Sequence, residues 1–249
     1  MNVPRDLEGK TAVVTGSSRR IGRAIAIRLA QAGASVVINA KASADRAEAV
    51  SREIKELGVG SIAVMADITD PAAVKGMVDK TVATFGGVDI LVNTVALRRH
   101  KPLPDITFAE WREVLSSVLD GAFLCSQAFA PHLSARQGWI VNIGGASAHF
   151  GMKNQPHVMT AKMGLIGLTR SLAIDLGPNV VVNCLIPGRV DGPEDRRAAT
   201  PRYPMDRIPA GRPGTLEEVA EAVAMLCNPR CRFVNGQSVH ISGGMLFGI

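Results

Sequence analysis

The stretch TAVVTGSSRRIG, residues Thr11 to Gly22, decides the fold. Its first half is a β-branched apolar run, the composition of a buried strand. Its second half turns at Gly16 and enters IGRAIAIRLAQAG (Ile21 to Gly33), where apolar residues recur every three or four positions and a glycine closes the segment. That is the pattern of a helix packed on one face and stopped by a C-cap. A strand that passes through a glycine-rich turn into a helix is the opening unit of a βαβ fold.

The same alternation continues along the chain. Further strand candidates are SVVINA (Ser35 to Ala40), SIAVMAD (Ser61 to Asp67), DILVNT (Asp89 to Thr94), WIVNIGG (Trp139 to Gly145), VVVNCLIPG (Val180 to Gly188) and SVHISGG (Ser238 to Gly244). Segments of helical period separate them, among them FAEWREVLSSVLDGAFLCSQAFAPHL and VMTAKMGLIGLTRSLAIDLG. Near-continuously apolar strands alternating with helices predict an α/β fold, a Rossmann-type doubly wound seven-stranded parallel sheet with helices on both faces. Ligands of such a sheet collect at the carboxyl ends of its strands.

With 249 residues, 47% apolar and 20% charged, the chain suits one domain spanning residues 1–249. Neither repeat nor linker interrupts it. The one long stretch without a clear period, Arg189 to Gly214, is rich in proline and arginine and is expected to form a substrate loop or lid. The net charge of +6 is scattered, with no basic run of five or more, which argues against nucleic acid. MNVPRDLEGK lacks an apolar leader and no apolar run approaches the ~18 residues that span a bilayer, so a soluble cytoplasmic protein is expected. The cysteines (Cys125, Cys184, Cys227, Cys231) include a CNPRC with no second ligand pair, which favours reduced thiols and no metal.

Gly16 and Gly22 let the backbone approach a pyrophosphate, which the free amides and dipole of a following helix attract. A site for NAD normally places an acid at the end of the second strand to bind the ribose hydroxyls. Here that place reads Asn39-Ala40-Lys41, with Arg19 available from the turn. Cations at this place suit a 2′-phosphate and predict NADP (NADPH) over NAD.

Together these motifs resemble the short-chain dehydrogenase/reductase family, and within it the branch similar to ketoacyl-carrier-protein reductases. The resemblance spans nearly the whole chain: TGSSRRIG, ADITD, DILVN, the helix around Trp111, WIVNI, TAK with GLIGLTRSLA, VNCLIPG, and the tail from IPAGRPGTLEEVAEAV to VNGQSVHISGG. It implies that Gly16, Ser18, Arg19, Ile21 and Gly22 line the cofactor phosphates, and Arg20, Asn39 and Lys41 are further cofactor-binding candidates. Asp67 and Ile68 would flank the adenine, Asn93 the adjacent ribose, and Pro187, Gly188 and Val190 the nicotinamide. Lys162 would hold the nicotinamide ribose and lower the pKa of a tyrosine one turn earlier. A homotetramer or homodimer is also implied, through the helix of Trp111 to Phe129, the helix after Lys162 and the C-terminal FGI.

The departures gather at the chemistry. The tyrosine position is Val158, the serine position that polarises the substrate is Gly145, and the asparagine position of the proton relay is Val118. The middle glycine of the turn is Arg20, as in proteins similar to pteridine reductases; the N-N-A-G segment reads Asn93-Thr94-Val95-Ala96; and a threonine near the carboxamide is Gly192. A positioned acid contributes ~10²–10⁴-fold to such reactions, and none of the three replacements is one. Candidate substitutes are His157, one residue before the tyrosine position, and Ser147, which shares the serine's side if the strand continues. His157 reads more readily as a solvent-exposed or capping residue of the first turn, because direction as well as distance must suit proton transfer. Thr160 reads as structural, and His149 and the single tyrosine, Tyr203, are further groups that loops bring to the cleft. Arg189, Arg196, Arg197, Arg202 and Arg207 either greet an acidic substrate or form a solvated face. Two functions follow: an NADP-dependent oxidoreductase acting on a small carbonyl, imine or activated C=C substrate with a non-standard proton donor, or a cofactor-binding partner or regulator without catalysis.

Overall fold

The computed structural model describes residues 5–192 and 205–246. Seven strands form one sheet: β1 (Thr11–Val14), β2 (Ser35–Ala40), β3 (Ser61–Met65), β4 (Ile90–Asn93), β5 (Trp139–Ile143), β6 (Val181–Pro187) and β7 (Ser238–Ile241). Their order is β3-β2-β1-β4-β5-β6-β7 and every ladder is parallel, with Val13 facing Val37 on one side and Leu91 on the other. The direction of winding reverses between β1 and β4, where a crevice opens at the strand ends.

Strand periodicity divides the core into two layers. Ala12, Val14, Val36, Ile38, Ile90, Val92 and Val141 pack on one face against α1 (Arg20–Gln31), α2 (Ala44–Glu56) and α8 (Leu216–Leu226). Val13, Val37, Leu91, Ile140 and Val182 turn to the other face and meet α3 (Pro71–Phe85), α5 (Gly121–Ala135) and α7 (Pro156–Asp175). The helices begin and end where their sequences provide caps. Asp70 accepts from the Ala72 amide ahead of Pro71, Gly86 closes α3 at φ 74°, and Thr215 with Glu218 forms a capping box on α8.

Three expectations need adjustment. The apolar stretch from Phe108 is not uniform: α4 (Phe108–Leu115) passes into a π segment, Ser116–Asp120, before α5. By length and composition that combined helix, Phe108–Ala135, is sufficient to cross a membrane, contrary to the expectation of no such run. Here it covers the sheet, burying Cys125, Phe129 and Leu133, and it carries Glu110, Arg112, Glu113 and Asp120. Finally, β5 stops at Ile143 and Ser147 opens a short helix, α6 (Ser147–Phe150), so Ser147 is not on a continuing strand. Of the 189–214 loop, the described part is held by a parallel bridge between Val190 and Gly214 and contains a 3₁₀ turn at Met205–Arg207.

Candidate active site

The β1–α1 turn is built around backbone proximity. Gly16 lies at φ 60°, and a Cβ there would come within 2.9 Å of Val95 Cγ2. A Cβ on Gly22 would sit 2.6 Å from the Gly16 carbonyl oxygen, so the first turn of α1 packs directly on the loop. Arg20, at φ 50°, keeps a backbone conformation that suits glycine, at a cost of about 1 kcal/mol. No side chain caps α1, whose N-terminal amides point toward the crevice. Ser18, Arg19 and Arg20 line one end of a groove of about 690 Å³ that continues between α1 and α8, and Ile21 anchors the turn on the core.

Asn39 is the brace of this turn. It is buried, its Oδ1 accepts from the Gly16 amide at 3.2 Å, and its Nδ2 donates to the carbonyls of Val64 and Ala66. Its side chain therefore orders the loop from within, a role distinct from the ligand contact expected at the end of the second strand. Lys41 Nζ stands 2.7 Å from Asp67 Oδ2, and Asp67 also accepts from the amide and hydroxyl of Thr69. The hydrogen bond with Lys41 lowers the carboxyl pKa and raises that of the lysine. Lys41, expected at the 2′-phosphate, and Asp67, expected at the adenine, thus form one rim, beside Ile68, which is buried against Gly121.

At the end of β4, Asn93 starts a buried polar chain. Its Nδ2 donates to Asn142 Oδ1 at 2.9 Å, Asn142 Nδ2 to Thr169 Oγ1 at 2.9 Å, and the Thr169 hydroxyl to the Leu165 carbonyl at 2.7 Å. Asn93 Oδ1, also buried, has no partner among the described residues and suits a ribose hydroxyl at the mouth of the crevice. Sequence reasoning missed Asn142 and Thr169, whose polarity inside a β-strand and an apolar helix was the available signal. The Gly16–Gly22 cradle and the orphaned Asn93 oxygen both fit a dinucleotide.

The chemical end differs. Lys162 is buried on α7 and donates to the Ile143 carbonyl at 2.5 Å. Burial first, then the charge of Arg98, push its pKa down to about 8. One turn earlier Val158 joins Val114, Val118, Ala122, Ala161 and Leu165 in a separate apolar cluster. The tyrosine and asparagine positions are therefore parts of one hydrophobic unit. At Gly145 a Cβ would meet nothing within 4 Å among the described residues, none of which takes the serine's place. Pro187 accepts from the Ala146 amide, Gly188 packs so closely on Ser242 that a Cβ would lie 2.8 Å from its Cα, and Val190 is bridged to Gly214.

His157 is neither exposed nor a cap. It is 1% exposed, and neither ring nitrogen has a partner among the described residues. Burial lowers its pKa; the charges acting on it are Glu110, Arg99 and His100, whereas those acting on Lys162 are Arg98 and Cys184. The two candidates for one proton-transfer unit thus sit in different electrostatic surroundings. Thr160 is exposed, in keeping with a structural position. His149 leaves the α6 turn to face His240 on β7, with ring centroids 5.0 Å apart. Arg189 pairs with Asp191. Arg196, Arg197, Arg202 and Tyr203, and the C-terminal FGI, lie outside the described residues.

The family described as Enoyl-(Acyl carrier protein) reductase matches residues 16–246. Two curated relatives, both 3-oxoacyl-[acyl-carrier-protein] reductase FabG, are from Staphylococcus aureus, 36% identical over 95% of this chain and 98% of the relative, and from Aquifex aeolicus, 38% identical over 96% and 98%. A crystal structure of a short-chain dehydrogenase from Burkholderia cenocepacia in complex with NADP superposes with a TM-score of 0.88 at 38% identity, covering 96% of this chain and 99% of that one. Sheet order, glycine cradle, the Asn93 and Lys162 positions and these similarities agree: the chain belongs to the short-chain dehydrogenase/reductase family, among relatives of FabG.

Proposed function

We propose that this chain is an NADP(H)-dependent reductase whose acceptor is an activated C=C or C=N bond, with Lys162 as the proton donor. The observation that carries the reading is the combination of a retained, buried Lys162 with Val158 and Val118 sealed in one apolar cluster. When bound, the reduced cofactor supplies a hydride. The chain's own part is to hold the phosphates at the Gly16–Gly22 turn, the adenosine at the Lys41–Asp67 rim and a ribose hydroxyl at Asn93 Oδ1. The Burkholderia relative's NADP and the absence of an acid at the end of β2 support the 2′-phosphorylated form.

A simple ketone needs an acid poised on its oxygen as charge develops, and no hydroxyl stands at the positions where the family keeps one. A conjugated or cationic acceptor spreads or cancels that charge. Lys162, with its pKa near 8, is protonated at neutral pH and holds the one acidic hydrogen in this corner that the described residues place next to the Ile143 carbonyl. A homotetramer or homodimer is part of the proposal: Phe123, half-exposed, and Gly164 line a groove of about 520 Å³ on the α5–α7 face.

The test is a fluorescence titration with NADPH and NADH, followed by NADPH oxidation against ketones, imines and enones. Tight NADPH binding with turnover of enones or imines and little of ketones is expected. Failure to bind NADPH overturns the cofactor assignment. Tight binding with no turnover across the panel favours the second reading, a cofactor-loaded partner or regulator, for which the sealing of both the acid and relay positions is the supporting observation.

A further inference from the structure

The helices α1 and α2 both leave the carboxyl edge of the sheet, one after β1 and the other after β2, and so run side by side with their N-terminal ends at the cofactor cleft. An ion pair fixes their register. Arg23 of α1 donates through Nη2 to both carboxylate oxygens of Glu53 on α2, at 2.8 and 2.7 Å. One turn before Arg23 is Arg19, whose carbonyl accepts from the Arg23 amide at 3.1 Å. Two turns before Glu53, on the same face of α2, is Arg46. Arg19 and Arg46 therefore stand above the Arg23–Glu53 bridge on facing helices, and both line the groove of about 690 Å³ that begins at Ser18.

The cations at this end of the cleft differ in what already holds them. Lys41, expected at the 2′-phosphate, has its Nζ 2.7 Å from Asp67 Oδ2, and Asp67 is fixed by the amide and hydroxyl of Thr69. A unit charge beside its opposite attracts a further anion weakly. Arg23 is engaged by Glu53 in the same way. Arg19 and Arg46 are exposed, and neither guanidinium has a hydrogen bond or ion pair among the described residues. Of the other acids on the groove, Glu221 is paired with Arg28, and Glu217 is carried by α8 rather than by α1 or α2. Asp45, the neighbour of Arg46, does not line the groove.

Resting on the NADP(H) reading above, we propose that Arg46, with Arg19 opposite it, seats the cofactor's 2′-phosphate, and that Arg46 rather than Lys41 decides between NADP(H) and NAD(H). The ribose hydroxyls of a dinucleotide come to the end of the second strand, here Ala40, from which the turn of residues 41–43 leads straight into α2. A phosphate there carries several acceptor oxygens, and a guanidinium answers it with two parallel N–H donors where an ammonium offers a single point charge. Two facing forks hold it from two sides. NAD(H) brings only a hydroxyl to the same place, which leaves both guanidinium groups in water and gains nothing from them. The family resemblance points to Lys41 by its place in the sequence; the ion pair with Asp67 engages that lysine, and the bridge between the helices brings Arg46 forward instead.

The experiment measures by calorimetry the affinity of the full chain for 2′,5′-ADP and for 5′-AMP, which differ only in the phosphate at issue. Wild type is expected to prefer 2′,5′-ADP by at least about 30-fold, through charge-assisted hydrogen bonds to that phosphate. Arg46→Ala reduces the preference at least about tenfold while 5′-AMP stays within about twofold, and Arg46→Lys, which keeps the charge without the fork, recovers part of it. The melting temperature of Arg46→Ala stays that of the wild type, since the side chain is exposed and holds nothing in the fold. Replacing the competing pair together, Lys41→Gln with Asp67→Asn, leaves the ratio between the two nucleotides within about twofold. A preference undiminished in Arg46→Ala, an equal loss on both nucleotides, or a collapse confined to the Lys41→Gln, Asp67→Asn chain overturns the proposal and leaves the NADP(H) reading standing. Equal binding of the two nucleotides by the wild type overturns that reading as well.

Discussion

At the scale of single residues, Lys162 ties stability and chemistry to pH. Its pKa falls from the ordinary 10.5 to about 8 on folding. Between those values the unfolded chain holds a proton that the folded chain has lost, so stability rises with pH across this window, by up to about 3 kcal/mol at 1.36 kcal/mol per pKa unit. Denaturant midpoints at pH 7.5 and 10 are expected to show this gain in the wild type and to lose it in Lys162→Met. Turnover follows the opposite direction, because a proton-donating Lys162 acts below its pKa: kcat is expected to fall as pH passes 8, and Lys162→Met to lower it at least about a hundredfold. Gly22 gives a second residue-scale prediction. With a Cβ placed 2.6 Å from the Gly16 oxygen, Gly22→Ala must shift the turn, and NADPH fluorescence titration is expected to show at least a tenfold loss of affinity. The glycines and the missing hydroxyls were legible in the sequence. The burial of His157 and the partners of Asn39 were not, because exposure and hydrogen bonding at a helix start or a strand end depend on what the rest of the chain places there.

At the scale of elements, strand positions were plain because short β-branched apolar runs alternating with segments of helical period leave little ambiguity. Their ends were less so. β5 stops at Ile143 rather than Gly145, and Ser147 already opens α6. The π segment Ser116–Asp120 had no sequence signature, being a matter of one extra residue per turn within an otherwise helical period. Helix caps were legible, and α8 offers a test of their worth. Thr215→Ala removes the side-chain acceptor for the Glu218 amide and is expected to cost about 1 kcal/mol in denaturant unfolding.

At the scale of the molecule, the reversal of winding between β1 and β4 gathers the cradle of Gly16, the acceptor on Asn93 and the amine of Lys162 along one edge of the sheet. That convergence was readable from the alternation of strands and helices and from the family resemblance, whereas the joining of Val118 and Val158 required the packed structure. A ligand that binds only the folded state stabilises it by mass action, about 2.7 kcal/mol at a hundred times Kd. Thermal melts are expected to rise with NADPH and to move less at the same concentration of NADH. The shared cluster also bears on how the site can change. Restoring a tyrosine at 158 alone sets a bulky phenol into an aliphatic packing unit without its relay partner, and restoring an asparagine at 118 alone buries an amide among methyl groups. Each single step costs folding energy before it returns any acidity, so the two sites behave as a latch: the road back to ordinary ketone reduction is closed to one substitution at a time. It opens only to joint replacement, with Gly145→Ser as the third move.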